Sequence, residues 1–185
     1  MRIVGGQLRG RALKAPPGEA TRPTADRARQ AVFNILEHAA WSEGIEGRRV
    51  IDLFAGAGGL GLEAISRGAG ACLFVDRAEP ALAAVRANVE ALGVGDRCRL
   101  LKADATRLPR RLDSEAAFDL AFLDPPYGKG LGEMALASLR GEHWLAPDAL
   151  VVFERGADEP ALDVPGFQVL DERRYGAARV WFLRA

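Results

Sequence analysis

Residues 50–61 read VIDLFAGAGGLG and are followed by an apolar pattern with helical spacing. The first part has the composition of a buried strand, and glycines after a strand let the backbone turn sharply and come close to a ligand. The helix that follows would turn its unpaired N–H groups toward this loop. Gly56, Gly58 and Gly61 have the spacing of the dinucleotide fingerprint. Strand, glycine loop and helix in this order predict an α/β fold whose loop, with Phe54 before it, binds a ligand.

Acidic residues stand at the ends of three predicted strands. Asp52 belongs to the first strand and Asp76 ends the second. Asp104 ends the third and precedes Ala105. Each has an ordinary alternative explanation, because aspartate is common at strand ends and helix N-caps. Since α/β sheets bind ligands at the carboxyl ends of their strands, we expect one site to contain all three carboxylates.

The charge of Asp52 distinguishes between two kinds of nucleoside ligand. A fixed negative charge beside the loop would repel the pyrophosphate of a nicotinamide dinucleotide but would attract a cationic amino-acid group. Asp76 lies at the expected distance along the chain for binding ribose hydroxyls, and Asp104 can accept a hydrogen bond from an adenine amine. These features favour S-adenosylmethionine, with a nicotinamide dinucleotide as the alternative. The candidate cofactor contacts are Asp52, Phe54, Gly56, Gly58, Gly61, Asp76, Asp104 and Ala105.

A second motif, Asp124-Pro125-Pro126-Tyr127, directly follows the apolar run 120–123. Proline fixes its own φ and pushes the preceding residue toward extended geometry, so Asp124 and Pro125 are restrained before any tertiary contact forms. Carboxylate and carbonyl oxygens can then converge on one amine while Tyr127 stacks on a planar base. An exposed turn that uses proline only for stiffness is the alternative. All four residues are candidate catalytic residues for a reaction at a base amine.

Basic residues are concentrated near the amino terminus. Within residues 1–30, seven basic residues face only Glu19 and Asp26, and glycines and prolines leave room for no more than a short hairpin. Such a patch suits a nucleic-acid backbone, and a solvated terminus is the alternative. We expect a basic RNA-binding arm at 1–30 and a catalytic domain at 31–185. The candidate RNA contacts are Arg2, Arg9, Arg11, Lys14, Arg22 and Arg27.

The rest of the chain alternates between strand and helix patterns, which predicts a parallel sheet with right-handed crossovers. The predicted strands are 50–54, 72–76, 98–102, 118–123 and 149–154. The predicted helices run through 31–36 and over 59–68, 79–92, 106–112 and 131–140. Residues 167–173 and 178–183 flank Tyr175-Gly176 and predict a terminal hairpin.

Composition limits the other possibilities. The chain has 185 residues, 49% of them apolar, and a formal net charge of zero, which fits one core with unevenly distributed charges. There is no apolar run of membrane-spanning length and no signal-peptide pattern, so we expect a cytoplasmic protein. Cys72 and Cys98 fall in or beside predicted strands, and His38 and His143 stand alone, so we expect no metal site. We also expect a monomer.

Several of these segments resemble the bacterial 16S ribosomal RNA guanine-N2 methyltransferases. The matching segments are 2–6, 22–24, Arg27, 52–56, 61–64, 66–69, 118–119 and 124–128. The resemblance covers essentially all 185 residues. The glycine loop and the proline motif are shared by many methyltransferases, whereas the amino-terminal segment is more specific to this family. Asp76 stands where many members have glutamate, which keeps the charge and shortens the reach to a ribose.

The resemblance implies a Rossmann-like class I methyltransferase with a seven-stranded, mostly parallel sheet that ends in an antiparallel hairpin. It also implies methyl transfer from S-adenosylmethionine to the N2 amine of a guanine in 16S rRNA, as RNA or in the assembled small ribosomal subunit. The residues alone leave the base open, because adenine-N6 methyltransferases use the same tetrapeptide. An adenine-N6 methyltransferase acting on DNA or RNA, and an RNA-binding assembly factor without turnover, are therefore the alternatives.

Overall fold

The computed structural model describes residues 1–16, 23–160 and 164–185. The helices are α1 (Pro23–His38), α2 (Gly59–Ser66), α3 (Glu79–Leu92) and α4 (Leu131–Gly141). The strands are β1 (Arg49–Leu53), β2 (Ala71–Asp76), β3 (Cys98–Lys102), β4 (Phe118–Leu123), β5 (Leu145–Gly156), β6 (Gln168–Tyr175) and β7 (Ala178–Arg184). Among the helices in these ranges, none combines the length and the apolar composition that crossing a membrane requires.

In the described part of the chain, seven strands form one sheet in the order β3-β2-β1-β4-β5-β7-β6. The strands β1 to β5 run parallel, and β7 is antiparallel to both of its neighbours. The prediction of a mostly parallel sheet with a terminal antiparallel hairpin is confirmed. The strand order reverses between β1 and β4, and α/β sheets form a ligand-binding crevice outside the carboxyl ends of the strands at such a point.

Apolar side chains cover both faces of the sheet. One face packs under α1, α2 and α3, where the rings of Phe33 and Phe122 are 5.4 Å apart. The other face packs against α4 through Leu136, Leu139 and Phe153. Full burial of one such side chain contributes about 1.5–3 kcal/mol. These two layers therefore fix the positions of the strand ends and of the residues that directly follow the strands.

The predicted helix at 106–112 is wrong. A single 3-10 turn, Ala105–Arg107, stands there, and the side chain of Asp104 caps it by accepting from the Thr106 N–H. Leu108 is extended, with φ −60° and ψ 145°. This geometry is expected before Pro109, because proline disfavours helical geometry at the preceding residue and lacks an N–H of its own. The proline therefore ends the helix after one turn.

The amino-terminal segment lies against α2. Ile3 and Leu13 are buried in the core, and Arg2 and Ala12 form an isolated antiparallel bridge. The segment is thus a docked, irregular loop with one hairpin-like pairing. The predicted division between residues 30 and 31 falls inside α1 and stays a prediction.

Glu63 of α2 anchors the amino-terminal segment through backbone hydrogen bonds. Its carboxylate accepts hydrogen bonds from the N–H groups of Val4 and Gly5, each at 2.8 Å. It also pairs with Arg67 at 2.8 Å and with Arg29 at 3.6 Å. Glu63 has no exposed surface, so its charge is balanced entirely by these buried partners.

Asn88 of α3 links the amino-terminal segment to the glycine loop. Its Oδ1 accepts from the Lys14 N–H at 2.8 Å, and its Nδ2 donates to the Lys14 carbonyl at 2.9 Å. The same Nδ2 donates to the carbonyl of Ala57 in the glycine loop at 3.0 Å. One buried amide therefore supports two segments that are far apart in the sequence.

Candidate active site

A cavity of about 420 Å³ opens at the carboxyl ends of the central strands, where the strand order reverses. Cavities that bind small ligands measure about 300–1,000 Å³, so this one has the size for a nucleoside. The glycine loop, two strand-end acids and the whole proline motif meet in it. Its lining residues are Phe54, Gly56, Asp76, Arg77, Ala78, Ala81, Ala103, Asp104, Ala105, Thr106, Asp124, Pro125, Pro126, Tyr127 and Leu131.

Asp76 holds the glycine loop in place. Its Oδ2 accepts from the Gly56 N–H at 3.0 Å, and its Oδ1 accepts from the Ala78 N–H at 2.8 Å. Phe54 and Gly56 have positive φ angles of 58° and 54°. A positive φ is costly for phenylalanine and is concentrated at functional sites. Each carboxylate oxygen has two acceptor positions, so Asp76 can also accept from the hydroxyls of a ligand.

Gly58 and Gly61 lie outside the lining of this cavity. A Cβ atom on Gly61 would be 2.4 Å from Phe74 Cε1 and 2.6 Å from Cys72 Sγ. Gly58 stands at the N-cap of α2 with a φ of 80°. These glycines allow α2 to begin sharply and to pack closely on β2. Their contact with a cofactor stays a prediction.

Asp52 is buried beneath the loop, with 2% of its surface exposed. Burial raises the pKa of Asp52 to about 8, a hydrogen bond from the Gly61 N–H opposes the rise, and the charges of Asp124 and Asp76 add to it. The distance from Gly61 N to Asp52 Oδ2 is 2.8 Å. A cationic group in the cavity would favour the ionised form. Direct contact between Asp52 and a cofactor stays a prediction.

We expect Asp52→Asn to remove a pH dependence of stability. Asp52 ionises near pH 3.9 in the unfolded chain, but the folded protein keeps it protonated up to about pH 8. Because the folded state then binds the extra proton, the free energy of unfolding of the wild type falls as the pH rises from about 4 to about 8. The asparagine variant does not lose stability in this way. Its free energy of unfolding should therefore rise relative to that of the wild type by on the order of 4 kcal/mol between pH 5 and pH 8, and the difference should then level off.

Urea unfolding of both proteins from about pH 5 to pH 9 measures this difference. A constant difference across that range would contradict the raised pKa of Asp52.

Asp104 presents an ionised acceptor to the cavity. Its Oδ1 accepts from the Thr106 N–H at 2.9 Å and from Thr106 Oγ1 at 2.7 Å. These hydrogen bonds lower the pKa of Asp104. Ala103 and Ala105 flank it with small apolar surfaces in the same lining. This combination suits a planar ring that carries an amine.

The proline motif forms the other part of the cavity. Asp124 follows β4 and is exposed, whereas Pro125 is buried. The Tyr127 hydroxyl donates a hydrogen bond to Glu154 near the carboxyl end of β5. Burial, this bond and nearby carboxylates raise the pKa of Tyr127 far above its usual value. Burial also raises the pKa of Glu154, and the bond from Tyr127 opposes that rise. Tyr127 therefore keeps its proton, and Glu154 fixes its orientation.

The segment after β5 supports the loop that follows the proline motif. Glu159 Oε1 accepts from the N–H groups of Gly128 at 3.1 Å and Gly156 at 2.9 Å. The buried Arg155 pairs with Glu159 at 3.4 Å and with Glu133 of α4 at 2.8 Å. These contacts tie the loop and the helix after it to the sheet.

A second cavity, of about 530 Å³, lies between the amino-terminal segment and α1. Arg2, Arg9 and Arg27 line it, together with Asp26, which pairs with Arg2 at 3.8 Å. Three guanidinium groups against one carboxylate give this cavity a positive lining. It brings together half of the predicted RNA contacts.

The other predicted RNA contacts lie elsewhere. Arg11 donates to the carbonyl of Ala91 on α3 at 2.7 Å. Lys14 is exposed, although its backbone is held by Asn88. Arg22 lies outside the described residues.

The cysteines are part of the sheet. Cys72 and Cys98 are register neighbours on β2 and β3, and both are free thiols. Burial raises the pKa of Cys98 to about 11 and that of Cys72 well above its usual value, so both stay protonated. Within the described ranges, no group of three or more His, Cys, Asp or Glu side chains has the geometry to hold a metal ion.

Sequence reasoning missed several residues of the site. Arg77, Ala78, Ala81, Thr106 and Leu131 line the cavity without a distinctive pattern. Glu154 is different, because it follows the apolar run 149–153 as Asp124 follows its own strand. The expectation that ligand-binding acids follow the apolar part of a strand would have identified Glu154 as a candidate.

Comparisons with known proteins give the relatives of this chain. The family model described as "Conserved hypothetical protein 95" matches residues 1–184. "Putative rRNA methyltransferase YlbH" of Bacillus subtilis is 35% identical over 182 residues, 97% of this chain and 96% of the relative. "Ribosomal RNA small subunit methyltransferase D" of Haemophilus influenzae is 30% identical over 178 residues, 95% and 89% of the two chains. The solved structure "Putative methyltransferase yhhF from Escherichia coli" has a TM-score of 0.85 at 28% identity and covers 100% of this chain and 97% of its own.

Proposed function

The chain belongs to the conserved hypothetical protein 95 family, and we propose that it transfers a methyl group from S-adenosylmethionine to the N2 amine of a guanine in 16S ribosomal RNA. Relatives named "Ribosomal RNA small subunit methyltransferase D" support ribosomal RNA as the substrate. The observation that carries the proposal is that one cavity is lined by Asp76 and Asp104 together with the proline motif. The part with Asp76 and Asp104 can bind a nucleoside, and the part with the proline motif can bind an amine.

The residues around the cavity fit S-adenosylmethionine. Asp76 can accept from ribose hydroxyls, and Asp104 can accept from the adenine amine, between small apolar side chains. Burial raises the pKa of Asp52 to about 8, and a cationic group nearby would favour its ionised form. When bound, this cofactor supplies a methyl group on a positively charged sulfur.

The acceptor amine needs help because its lone pair is delocalised into the purine ring. The Asp124 carboxylate and the Pro125 carbonyl can accept its two N–H bonds, which favours the pyramidal nitrogen of the transition state. The rigid loop holds this nitrogen in line with the transferred methyl group, so positioning lowers the barrier further. The Tyr127 ring, fixed by Glu154, supplies a surface on which the base can stack.

The methylated nitrogen must lose one proton. The Asp124 carboxylate is the nearest acceptor in this arrangement, and release to water is the alternative route. A base inside a helix cannot reach such a cavity, so the target nucleotide must be unpaired or flipped out.

The experiment that tests this function follows labelled methyl groups from S-adenosylmethionine. Small ribosomal subunits that lack the modification, naked ribosomal RNA and DNA serve as parallel acceptors, and mass spectrometry identifies the product nucleoside. N2-methylguanosine from a ribosomal substrate is the expected result. N6-methyladenine would favour the second enzyme class, and measurable cofactor binding without transfer would favour an assembly factor.

Reversing the charges of Arg9 and Arg11 should weaken binding to small-subunit RNA and flatten its salt dependence. Each lost phosphate contact lowers the slope of log K against log salt by about 0.7–0.9, so two lost contacts should lower it by about 1.5. Fluorescence anisotropy between about 50 and 200 mM salt measures the slope.

Arg174→Glu is the matched control for this change. Arg174 is exposed on β6 and pairs with Asp158 at 3.7 Å, away from the basic cavity. If the Arg9 and Arg11 variant keeps the wild-type slope, these two side chains make no phosphate contacts and the proposed RNA-binding role of the segment is wrong.

A further inference from the structure

Glu154 stands beside Asp124 at the carboxyl edge of the sheet. Leu123 of β4 is in register with Phe153 of β5, so the residues that follow them, Asp124 and Glu154, are neighbours. Adjacent strands are about 4.8 Å apart, and matching positions of parallel strands direct their side chains to the same face. If the register continues one residue beyond β4, the Glu154 carboxylate lies beside Asp124, next to the cavity that Asp124 and Tyr127 line.

Tyr127 connects Glu154 to the cavity. Its hydroxyl donates to Glu154 Oε1, and Tyr127 is part of the cavity lining. The charges of both Glu154 and Asp124 contribute to the raised pKa of this hydroxyl, so both carboxylates are within electrostatic range of it. A carboxylate has two oxygens with about four acceptor positions, so Glu154 can hold the hydroxyl and accept from a base together.

The two purines present different edges to such a pair of carboxylates. Guanine has two donors next to each other, the N1–H and the N2 amine. Adenine has its N6 amine next to an unprotonated N1, which is an acceptor. Because an ionised carboxylate only accepts, two of them match the guanine edge, whereas one of them would face the N1 lone pair of adenine.

We propose that Glu154 accepts a hydrogen bond from the N1–H of the target guanine while Asp124 binds its N2 amine, and that Glu154 thereby selects guanine over adenine. This assignment rests on the proposed function. It gives the base specificity a residue outside the proline motif, which guanine and adenine enzymes share.

The test compares two bases that carry the same nucleophile. 2,6-Diaminopurine has the N2 amine of guanine but an unprotonated N1. Small-subunit ribosomal RNA is assembled by ligation with either base at the nucleotide that the wild type methylates, and kcat/KM for N2-methylation is measured. We expect the wild type to prefer guanine by roughly 10- to 100-fold, because the analogue leaves the Glu154 carboxylate facing an acceptor instead of a donor.

Glu154→Gln should reduce this preference to within about threefold, because its amide can donate to the unprotonated N1 of the analogue. Tyr127→Phe removes the hydroxyl and keeps both the ring and Glu154, so it should retain the preference for guanine. Glu172→Gln on β6 is the control, since Glu172 is exposed and pairs with Arg179 at 3.1 Å. It should behave as the wild type.

Three results would overturn the assignment. If Glu154→Gln keeps the wild-type preference, Glu154 does not read the base. If Tyr127→Phe loses the preference as fully as Glu154→Gln, Glu154 acts only by orienting Tyr127. If the wild type methylates both RNAs at equal rates, the assignment fails even when no variant folds. By contrast, a wild type that methylates N2 in neither RNA contradicts the proposed function itself.

Discussion

Asp124→Ala lowers the rate of methyl transfer roughly 10³-fold and leaves the affinity for S-adenosylmethionine within about threefold; this is the largest effect we expect on activity. Asp124 directly follows β4 and lies on the part of the cavity formed by the proline motif. Its proposed partner is the acceptor amine, which the carboxylate orients and whose lost proton it can accept. Single-turnover rates with ribosomal RNA and calorimetric titration with the cofactor measure the two quantities separately.

Two further variants make this result specific. Asp124→Asn keeps one acceptor oxygen but cannot take a proton, so its rate should lie between those of the wild type and the alanine variant. Asp113→Ala changes an exposed aspartate ahead of β4 and should have no effect. A large loss of cofactor affinity in Asp124→Ala would mean that Asp124 binds the cofactor rather than the base.

Glu63→Ala is the change that we expect to destabilise the protein most. The carboxylate has no exposed surface, and its partners Arg67 and Arg29 have side chains that are only 4% and 6% exposed. Its removal takes one of two carboxylate partners from each guanidinium group, leaving Arg67 with Glu37 and Arg29 with Asp26. It also leaves the N–H groups of Val4 and Gly5 without their acceptor. Breaking a buried ion pair from one side costs about 3–5 kcal/mol. For a chain of this size the melting temperature should fall by roughly 10 °C.

Urea unfolding gives the free energies for this comparison. Glu63→Gln keeps the shape and one acceptor oxygen, so its loss should be smaller than that of the alanine variant. Glu172→Ala breaks an exposed pair on the terminal hairpin and should cost less than about 1 kcal/mol. Equal midpoints for Glu63→Ala and Glu172→Ala would show that the amino-terminal segment is not anchored through Glu63.

The fold was predictable because its signals repeat along the chain. The glycine loop, the apolar strands and the alternation of strands with helices all favour the same parallel sheet, and the structure contains it. Acids at the carboxyl ends of parallel strands were expected to meet in one site, and Asp76 and Asp104 line one cavity with Asp124 of the proline motif. Asp52, expected in the same site, is not part of that lining. The helix prediction was wrong at 106–112, because Pro109 disfavours helical geometry at Leu108 more strongly than the weak apolar pattern favours it.

Buried polar residues were not predictable in this way. Glu63 and Asn88 occupy helix positions that a sequence pattern assigns to solvent, and their partners are about 60 and 74 positions away in the chain. Asp52 was expected to face a ligand, but the structure buries it against Gly61 N. Such roles depend on which segments meet in three dimensions, and periodicity carries no information about that.

The amide of Asn88 gives the molecule a form of cooperativity. If the amino-terminal segment detaches, the backbone of Lys14 loses both of its hydrogen bonds to Asn88. The bond from Asn88 to the Ala57 carbonyl then becomes exposed to water. Local opening is less costly where few buried contacts oppose it. Here the amino-terminal segment and the glycine loop both depend on hydrogen bonds to Asn88, so opening one weakens the other. The surface that would meet RNA and the loop that would meet the cofactor should therefore exchange their amide hydrogens with solvent as one unit.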